Sequence, residues 1–309
     1  MSDVLVSIII PTRRRPEPLA RAARSCFGQD GIAPDGLEMI VVDNDETGSA
    51  RPVVDGLAVG APFEVRYVHE PRPGVANARN AGVELARGAF IAFLDDDEEA
   101  SPGWLAALLD VQSAIQADLV FGPVRGRLPD TVVAHRAYLE HFFSRTGPAK
   151  AGPIGHYYGC GDSLVRRAVL PSVRPFSETR NHIGGEDDLL FARLQRAGAR
   201  MAWAPDAWVW EDPAPERINL RYAILRAYIY GQGPPTQCAS AEPPDGLGVA
   251  GWMVQGLVQA AIYGFVALFL WIVRTPRRAF ALDRAARGLG KTFWWSLFKI
   301  QLYGLPNSP

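Results

Sequence analysis

Apolar runs alternate with amphipathic stretches through the first half of the chain. Val4–Ile10 runs into Pro11, Glu38–Val42 ends at Asp43, and Phe90–Leu94 ends at Asp95. Each is short and rich in large or β-branched residues, the signature of a buried strand. Phe63–His69 reads as another strand, with Val65, Tyr67 and His69 alternating against Glu64, Arg66 and Val68. Pro18–Phe27 and Gly74–Leu85 read as helices between them. Strand–helix alternation of this kind predicts an α/β fold, a mostly parallel sheet with flanking helices. Right-handed crossovers place every C-terminal strand end on one rim, where ligands bind. Thr12, Asp43 and Asp95–Asp97 all fall on that rim.

The second half is less regular. Trp104–Ile115 reads as a helix, Asp118–Val124 as a strand and Ala134–Phe143 as a helix. Thr146–Gly161, rich in Gly and Pro, reads as a mobile loop. Gly185-Glu186-Asp187-Asp188 opens a helix that Gly198 closes. Ala199–Trp203 and Ala207–Trp210 read as short strands, and Pro215–Gly231 as a helix. Three regions follow: a globular part over 1–232, a Pro/Gly-rich linker over 233–248, and an apolar then basic region over 249–309.

Val249–Val273 has no charged residue. As a helix it would extend ~37 Å, enough to cross a bilayer. Trp252 and Trp271 near its ends point to membrane contact rather than a core helix. Seven basic residues follow between Arg274 and Lys299, against one acid, Asp283. A single crossing would put them on the far side, against the positive-inside tendency, and Phe293–Leu305 is short for a return span. A re-entrant or in-plane segment followed by a basic amphipathic one on anionic headgroups fits better.

The chain has 309 residues, 48% hydrophobic and 21% charged, with net charge −1, so nothing global points to nucleic acid. Cys26, Cys160 and Cys238 are far apart, which disfavours a disulfide framework or zinc site. His135, His141, His156 and His182 show no ligand spacing. Val4–Ile10 is too short for a signal peptide.

Asp95-Asp96-Asp97 concentrates negative charge at one strand end. Either a hard divalent cation balances it or the cluster is a solvated turn ahead of a helix. Glu186-Asp187-Asp188 likewise reads as first-turn helix acids or as a reactive carboxylate pair.

Taken in order, these segments resemble the family 2 inverting glycosyltransferases of GT-A fold. Val6-Ser7-Ile8-Ile9-Ile10-Pro11-Thr12-Arg13-Arg14 resembles the family's first strand and turn, and Val41-Val42-Asp43-Asn44 its second strand end. Gly74-Val75-Ala76-Asn77-Ala78-Arg79-Asn80-Ala81-Gly82 resembles its third motif. Phe93-Leu94-Asp95-Asp96-Asp97 matches the D-x-D motif and Gly185-Glu186-Asp187-Asp188-Leu189-Leu190 the E-D motif. The resemblance covers residues 4 to 231, and Trp208–Gly231 is similar to the exopolysaccharide (succinoglycan-type) branch.

The resemblance implies a UDP-sugar donor, with Pro11, Thr12 and Arg13 lining the nucleoside pocket and Asp43 accepting from the base. It implies Arg79 at the nucleotide, Asp95 toward the ribose, and Asp95 with Asp97 on Mg²⁺ or Mn²⁺. Asp96 either helps hold the cation or shapes the turn. Asp187 becomes the base that takes the acceptor proton, with Glu186 positioning the acceptor. Where many members carry a histidine metal ligand, Val209-Trp210-Glu211-Asp212 offers Glu211, a suitable hard donor. Arg226, and Arg221 beside it, could neutralise the diphosphate. Tyr157, Tyr158 and Cys160 could touch the acceptor, on a loop that Gly159 and Gly161 let move. The expected acceptor is a saccharide, lipid-linked, at the cytoplasmic face of the bacterial inner membrane, with membrane lipids as a further partner. Two other classes compete. A sugar-nucleotide nucleotidyltransferase needs a Gly-rich phosphate loop, which Pro11-Thr12-Arg13-Arg14-Arg15 lacks. An inactive membrane scaffold would have no need of intact acid motifs.

Overall fold

The computed structural model describes residues 4–181, 184–241 and 243–300. His182 and the end of Phe293–Leu305 therefore lie outside the described residues. The elements, in chain order, begin with β1 (Val6–Thr12), α1 (Pro16–Ser25), β2 (Leu37–Asp43), α2 (Arg51–Ala58), β3 (Glu64–His69), α3 (Val75–Leu85) and β4 (Phe90–Phe93). They continue with β5 (Glu98–Ala100), α4 (Trp104–Ile115), β6 (Leu119–Phe121), β7 (Val124–Gly126), α5 (Arg136–Phe142), β8 (Gly152–Pro153) and β9 (Ser163–Arg166). The last are α6 (Glu186–Arg196), β10 (Met201–Trp203), β11 (Val209–Glu211), α7 (Leu220–Gly231), α8 (Gly233–Ala239), α9 (Gly246–Ile272) and α10 (Arg278–Thr292).

Eight strands form one sheet in the order β3-β2-β1-β4-β9-β6-β10-β8, and β5-β11-β7 form a small second sheet. All seven residues of β1 and of β2 are buried, because helices cover both faces. That burial explains their unbroken apolar runs. β3, at the sheet edge, keeps partial exposure along its whole length. The parallel register sets Thr12 opposite Asp43 and Ile9 opposite Phe93, so the three acidic or polar strand ends meet on one rim. α3 lies so close over β1 that a Cβ at Gly82 would sit 2.6 Å from Ile9 Cγ2. Asn181 caps α3 from 105 residues away, its Oδ1 accepting from Ala76 N–H at 2.9 Å.

β9 departs from the parallel pattern. It runs antiparallel to both β4 and β6. The expected strand over Asp118–Val124 is two strands in different sheets, because Gly122-Pro123 breaks the ladder between β6 and β7.

The chain divides into two compact units, Met1–Arg125 with Ser144–Asp212, and Gly126–Phe143 with Pro213–Pro309. α5 belongs to the second unit. The 233–248 stretch contains a helix, α8, rather than only linker. Pro234 and Pro235 fall in its first turn, where a missing N–H costs nothing. In the second unit α10 packs between α7 and α9 through glycines. A Cβ at Gly231 would lie 2.2 Å from Arg287 O, and one at Gly256 2.6 Å from Gly288 O.

Candidate active site

The acidic strand end carries its own counter-charges. Thr12, the last residue of β1, donates its Oγ1 proton to Asp96 Oδ2 at 2.7 Å. Arg15 donates to Asp96 Oδ1 at 3.1 Å and to Asp97 Oδ2 at 2.8 Å. Burial, and the adjacent Asp97, push the Asp96 carboxyl up to about 7 while Arg15 and Thr12 pull the other way. Pro11 is buried beside Thr12, and Arg13 is exposed at the rim. Arg14, at φ 57°, turns to pair with Asp45 at 2.7 Å.

Asp43 is fully buried and organises the second turn. Its Oδ2 accepts from Ala50 N–H at 2.7 Å and Tyr67 OH at 3.0 Å, and its Oδ1 from Asp45 N–H at 3.1 Å. Asn44 extends the work: its Nδ2 donates to Glu70 O and Arg72 O, and its Oδ1 accepts from Gly74 N–H at 2.8 Å. The start of α3 is thereby held against the β2 end.

Arg79 is the centre of the site. Its guanidinium is buried on α3 and donates to Glu186 Oε1 at 2.5 Å and to Asp95 Oδ1 at 3.1 Å. One arginine therefore ties the β4 end to the start of α6. Its Nε has no hydrogen-bond partner. Burial raises the Glu186 carboxyl, against the pull of Arg79.

Asp187 follows Glu186 in the first turn of α6. Its Oδ2 accepts from Cys160 N–H at 3.1 Å and its Oδ1 from Asp188 N–H at 2.9 Å. Cys160 lies at the end of the Thr146–Gly161 loop, and that end is held by hydrogen bonds. Arg145 donates to the carbonyls of Gly122, Gly159, Gly161 and Asp162 at 2.8–3.0 Å. Gly161 is wedged so tightly that a Cβ there would meet Glu98 Oε1 at 2.7 Å and Asp95 Oδ2 at 2.8 Å. The loop thus touches Asp95 on one side and Asp187 on the other.

Residues that sequence reasoning missed complete this packing. Asp162, at φ 50° and fully buried, accepts from Trp104 Nε1 at 2.7 Å, and burial pushes its carboxyl up to about 7. Glu98, also buried, accepts from Asp95 N–H at 2.9 Å and is raised well above the carboxylate range by burial and by Asp95 and Asp162. Arg15 could have been noticed as the third basic residue after β1. Arg145 has no local signal at all.

Glu211 lies opposite Glu98 in the β11–β5 ladder, and the next residue, Asp212, donates its N–H to Asp97 O at 2.8 Å. Arg226 lies in the second unit, on α7, where it donates to Tyr230 OH at 2.8 Å. Arg221 is exposed on the same helix.

The model of glycosyl transferase family 2 matches residues 7–174. The chain belongs to that family. It is a glycosyltransferase of GT-A fold. Succinoglycan biosynthesis protein ExoM of Rhizobium meliloti (strain 1021) is 38% identical over 228 residues, covering 74% of this chain and 73% of that protein. Pre-mycofactocin glycosyltransferase of Mycobacterium tuberculosis is 34% identical over 235 residues, but the match spans only 46% of that protein's length. Among solved structures, mannosyltransferase PcManGT from Pyrobaculum calidifontis, in complex with GDP-Man and Mn²⁺, superimposes with TM-score 0.64 at 19% identity. That match covers 94% of this chain and 87% of PcManGT. S. aureus TarS 1-349 in complex with UDP gives 0.53 at 15% identity, covering 93% and 89%.

The donor set of this glycosyltransferase suits a hard cation. Asp95 and Asp97 offer carboxylate oxygens from one strand end, the chemistry that Mg²⁺ and Mn²⁺ prefer. Among the described residues no three His, Cys, Asp or Glu form a ready-made metal cage. Substrate phosphates would have to complete the shell, as is usual for Mg²⁺.

Proposed function

We propose that this chain is an inverting transferase that moves a sugar from a UDP-sugar to a hydroxyl of a lipid-linked saccharide, in exopolysaccharide or related envelope-glycan synthesis. The observation that carries the reading is Arg79, which joins Asp95 at the donor end to Glu186 beside Asp187. Donor phosphates and acceptor hydroxyl then meet at one seam between β4 and α6.

In this reading Pro11, Thr12 and Arg13 border the nucleoside, and Asp43 shapes that pocket through the turn it closes. Asp95 and Asp97 would hold Mg²⁺ or Mn²⁺, with Glu211 as further donor, and the cation would offset charge on the leaving diphosphate. Asp187 takes the acceptor proton as the hydroxyl oxygen attacks the anomeric carbon from the face opposite the diphosphate. The new glycosidic bond forms, the bond from carbon to phosphate oxygen breaks, and UDP departs with the electron pair. The N–H groups of Cys160 and Asp188, one on each Asp187 oxygen, fix the direction in which the carboxylate faces. Glu186, paired with Arg79, positions the acceptor side.

The likeness to ExoM supports the polysaccharide setting. The apolar α9 supports association with a membrane, with the catalytic unit on the cytoplasmic face where nucleotide sugars are made. The test is acceptor-dependent release of the nucleoside diphosphate, UDP or GDP, measured across UDP- and GDP-sugars with and without Mn²⁺. Asp187→Asn should lower kcat by about 10²–10⁴-fold with little change in donor KM, the usual scale for losing a general base. Equal rates would remove Asp187 from that role.

A further inference from the structure

α9 is 27 residues long, ~40 Å at ~1.5 Å per residue, and passes every length test for a bilayer crossing. Its surroundings argue otherwise. α10 runs back along it, antiparallel, in contact through most of its length. Thr292 Oγ1 donates to Met253 O at 3.3 Å near one end. Gly256 and Gly288 then meet backbone to backbone. Gln259, the middle residue of α9, donates its Nε2 proton to Arg284 O at 2.7 Å and accepts from Lys291 Nζ at 2.9 Å. Arg284 also donates to Tyr263 OH at 3.3 Å.

Whatever depth α9 reaches, α10 reaches with it. A crossing α9 would carry Asp283, Arg284, Arg287 and Lys291 to the bilayer centre. Asp283 and Arg287 pair at 2.7 Å and offset each other, but Arg284 and Lys291 leave net positive charge. α10 cannot serve as a second crossing, since its 15 residues extend only ~22 Å against a ~30 Å hydrocarbon core.

The remainder of α9 is bare and apolar. Little of α9 is covered by the rest of the chain, and Val254, Leu257, Val258, Phe265, Phe269 and Trp271 are all exposed. Arg274 and Arg277, in the turn to α10, are exposed, as is Arg284. α9 carries no charge of its own, so the basic face comes from the turn and α10, and the two helices together have the apolar-beside-basic pattern of a membrane-interface element.

We propose that α9 lies in the plane of an anionic phospholipid bilayer, its bare face at acyl-chain depth and Arg274, Arg277 and Arg284 against headgroup phosphates. This rests on the membrane association proposed above and fixes its geometry: the chain rests in one leaflet and does not cross.

The test uses the full chain in a Cys238→Ser background, since Cys26 and Cys160 are buried. Single cysteines replace Leu247, Val258 and Ile272, each carrying a nitroxide whose depth is read by oxygen and nickel-chelate accessibility in sealed vesicles. With phosphatidylglycerol vesicles, the three labels should report one common depth to within ~5 Å. Exchange of phosphatidylglycerol for phosphatidylcholine, or Arg274→Glu with Arg277→Glu, should weaken vesicle binding at least about tenfold. Val258 at the bilayer centre with Leu247 and Ile272 at opposite surfaces would overturn the in-plane geometry alone. Failure to bind either vesicle would overturn it together with the membrane association. Protection of all three sites in a vesicle-free dimer would replace the bilayer by a second copy of this chain.

Discussion

Two arginine–carboxylate clusters meet the same acidic strand end, and they differ in how far water reaches them. Arg79 sits between Asp95 and Glu186 with its side chain 6% exposed. Arg15 sits against Asp96 and Asp97 with its side chain 24% exposed. A guanidinium stays charged even out of water, so burying it is tolerated only where fixed partners surround it. Arg79 therefore acts as a tie between β4 and α6, and its loss leaves Glu186 buried without a partner. Arg15 approaches from the rim as a counter-charge to Asp96 and Asp97. The same pairing is sealed in one place and open to water in the other.

The buried cluster should break hardest. Arg79→Met should cost about 3–5 kcal/mol of stability, the scale for removing one member of a buried ion pair. Urea unfolding checks this, and a loss under about 1 kcal/mol would mean Arg79 is not the tie. A third arginine–carboxylate cluster, remote from the site, serves as control. Glu38, fully buried on β2, accepts from Ser7 Oγ at 2.6 Å and Arg87 N–H at 2.7 Å, and pairs with the Arg87 guanidinium at 2.7 Å. Burial alone would raise its carboxyl, but these partners hold it below the usual range. The folded value lies under the unfolded one, so its contribution is present above the ordinary carboxylate range, ~4.3, and fades as pH falls through the lowered value. Glu38→Gln should lose about 3 kcal/mol near neutral pH and show a shallower acid limb, with kcat unchanged. A parallel loss of kcat would erase the contrast between a remote pair and the site.

How much of this was legible in the chain follows from where the energy comes from. β1, β2 and β4 are buried on both faces, so their apolar runs stand out, and the acids at their ends could be placed on one rim. Asp187 was legible as a first-turn acid. β5, β8 and β9 were not, because strands of 2–4 residues are set by their partners' register. Glu98 hid in what looked like an extension of the acidic turn. Arg145 was invisible because its work lies in backbone carbonyls, which no residue pattern announces. The expected mobility of Thr146–Gly161 rested on glycine content, whereas Gly161 is there because no Cβ fits beside Glu98 and Asp95.

Arg145 tests whether the tie at Arg79 acts alone. By holding the carbonyls of Gly159, Gly161 and Asp162 on either side of Cys160 it is a positioning residue for Asp187, whose Oδ2 accepts from Cys160 N–H. Lysine keeps the charge but loses the planar fork. Arg145→Lys should lower kcat by about 30-fold, or ~2 kcal/mol, while donor affinity holds. Equal losses in donor binding would show that the loop serves the donor end instead.

Arg15 should give the smallest effect, with an opposite sign in one readout. If its role is to balance Asp96 and Asp97 until a cation arrives, Arg15→Ala removes a competitor for the same carboxylates. The apparent affinity for Mn²⁺ should then rise about two- to fivefold, while kcat at saturating metal changes less than about threefold. Titration of UDP release against Mn²⁺ separates the two quantities. If affinity for the cation fell instead, Arg15 would be organising the carboxylates for the metal rather than competing with it. The two clusters would then both be structural, and water access would not be what distinguishes them.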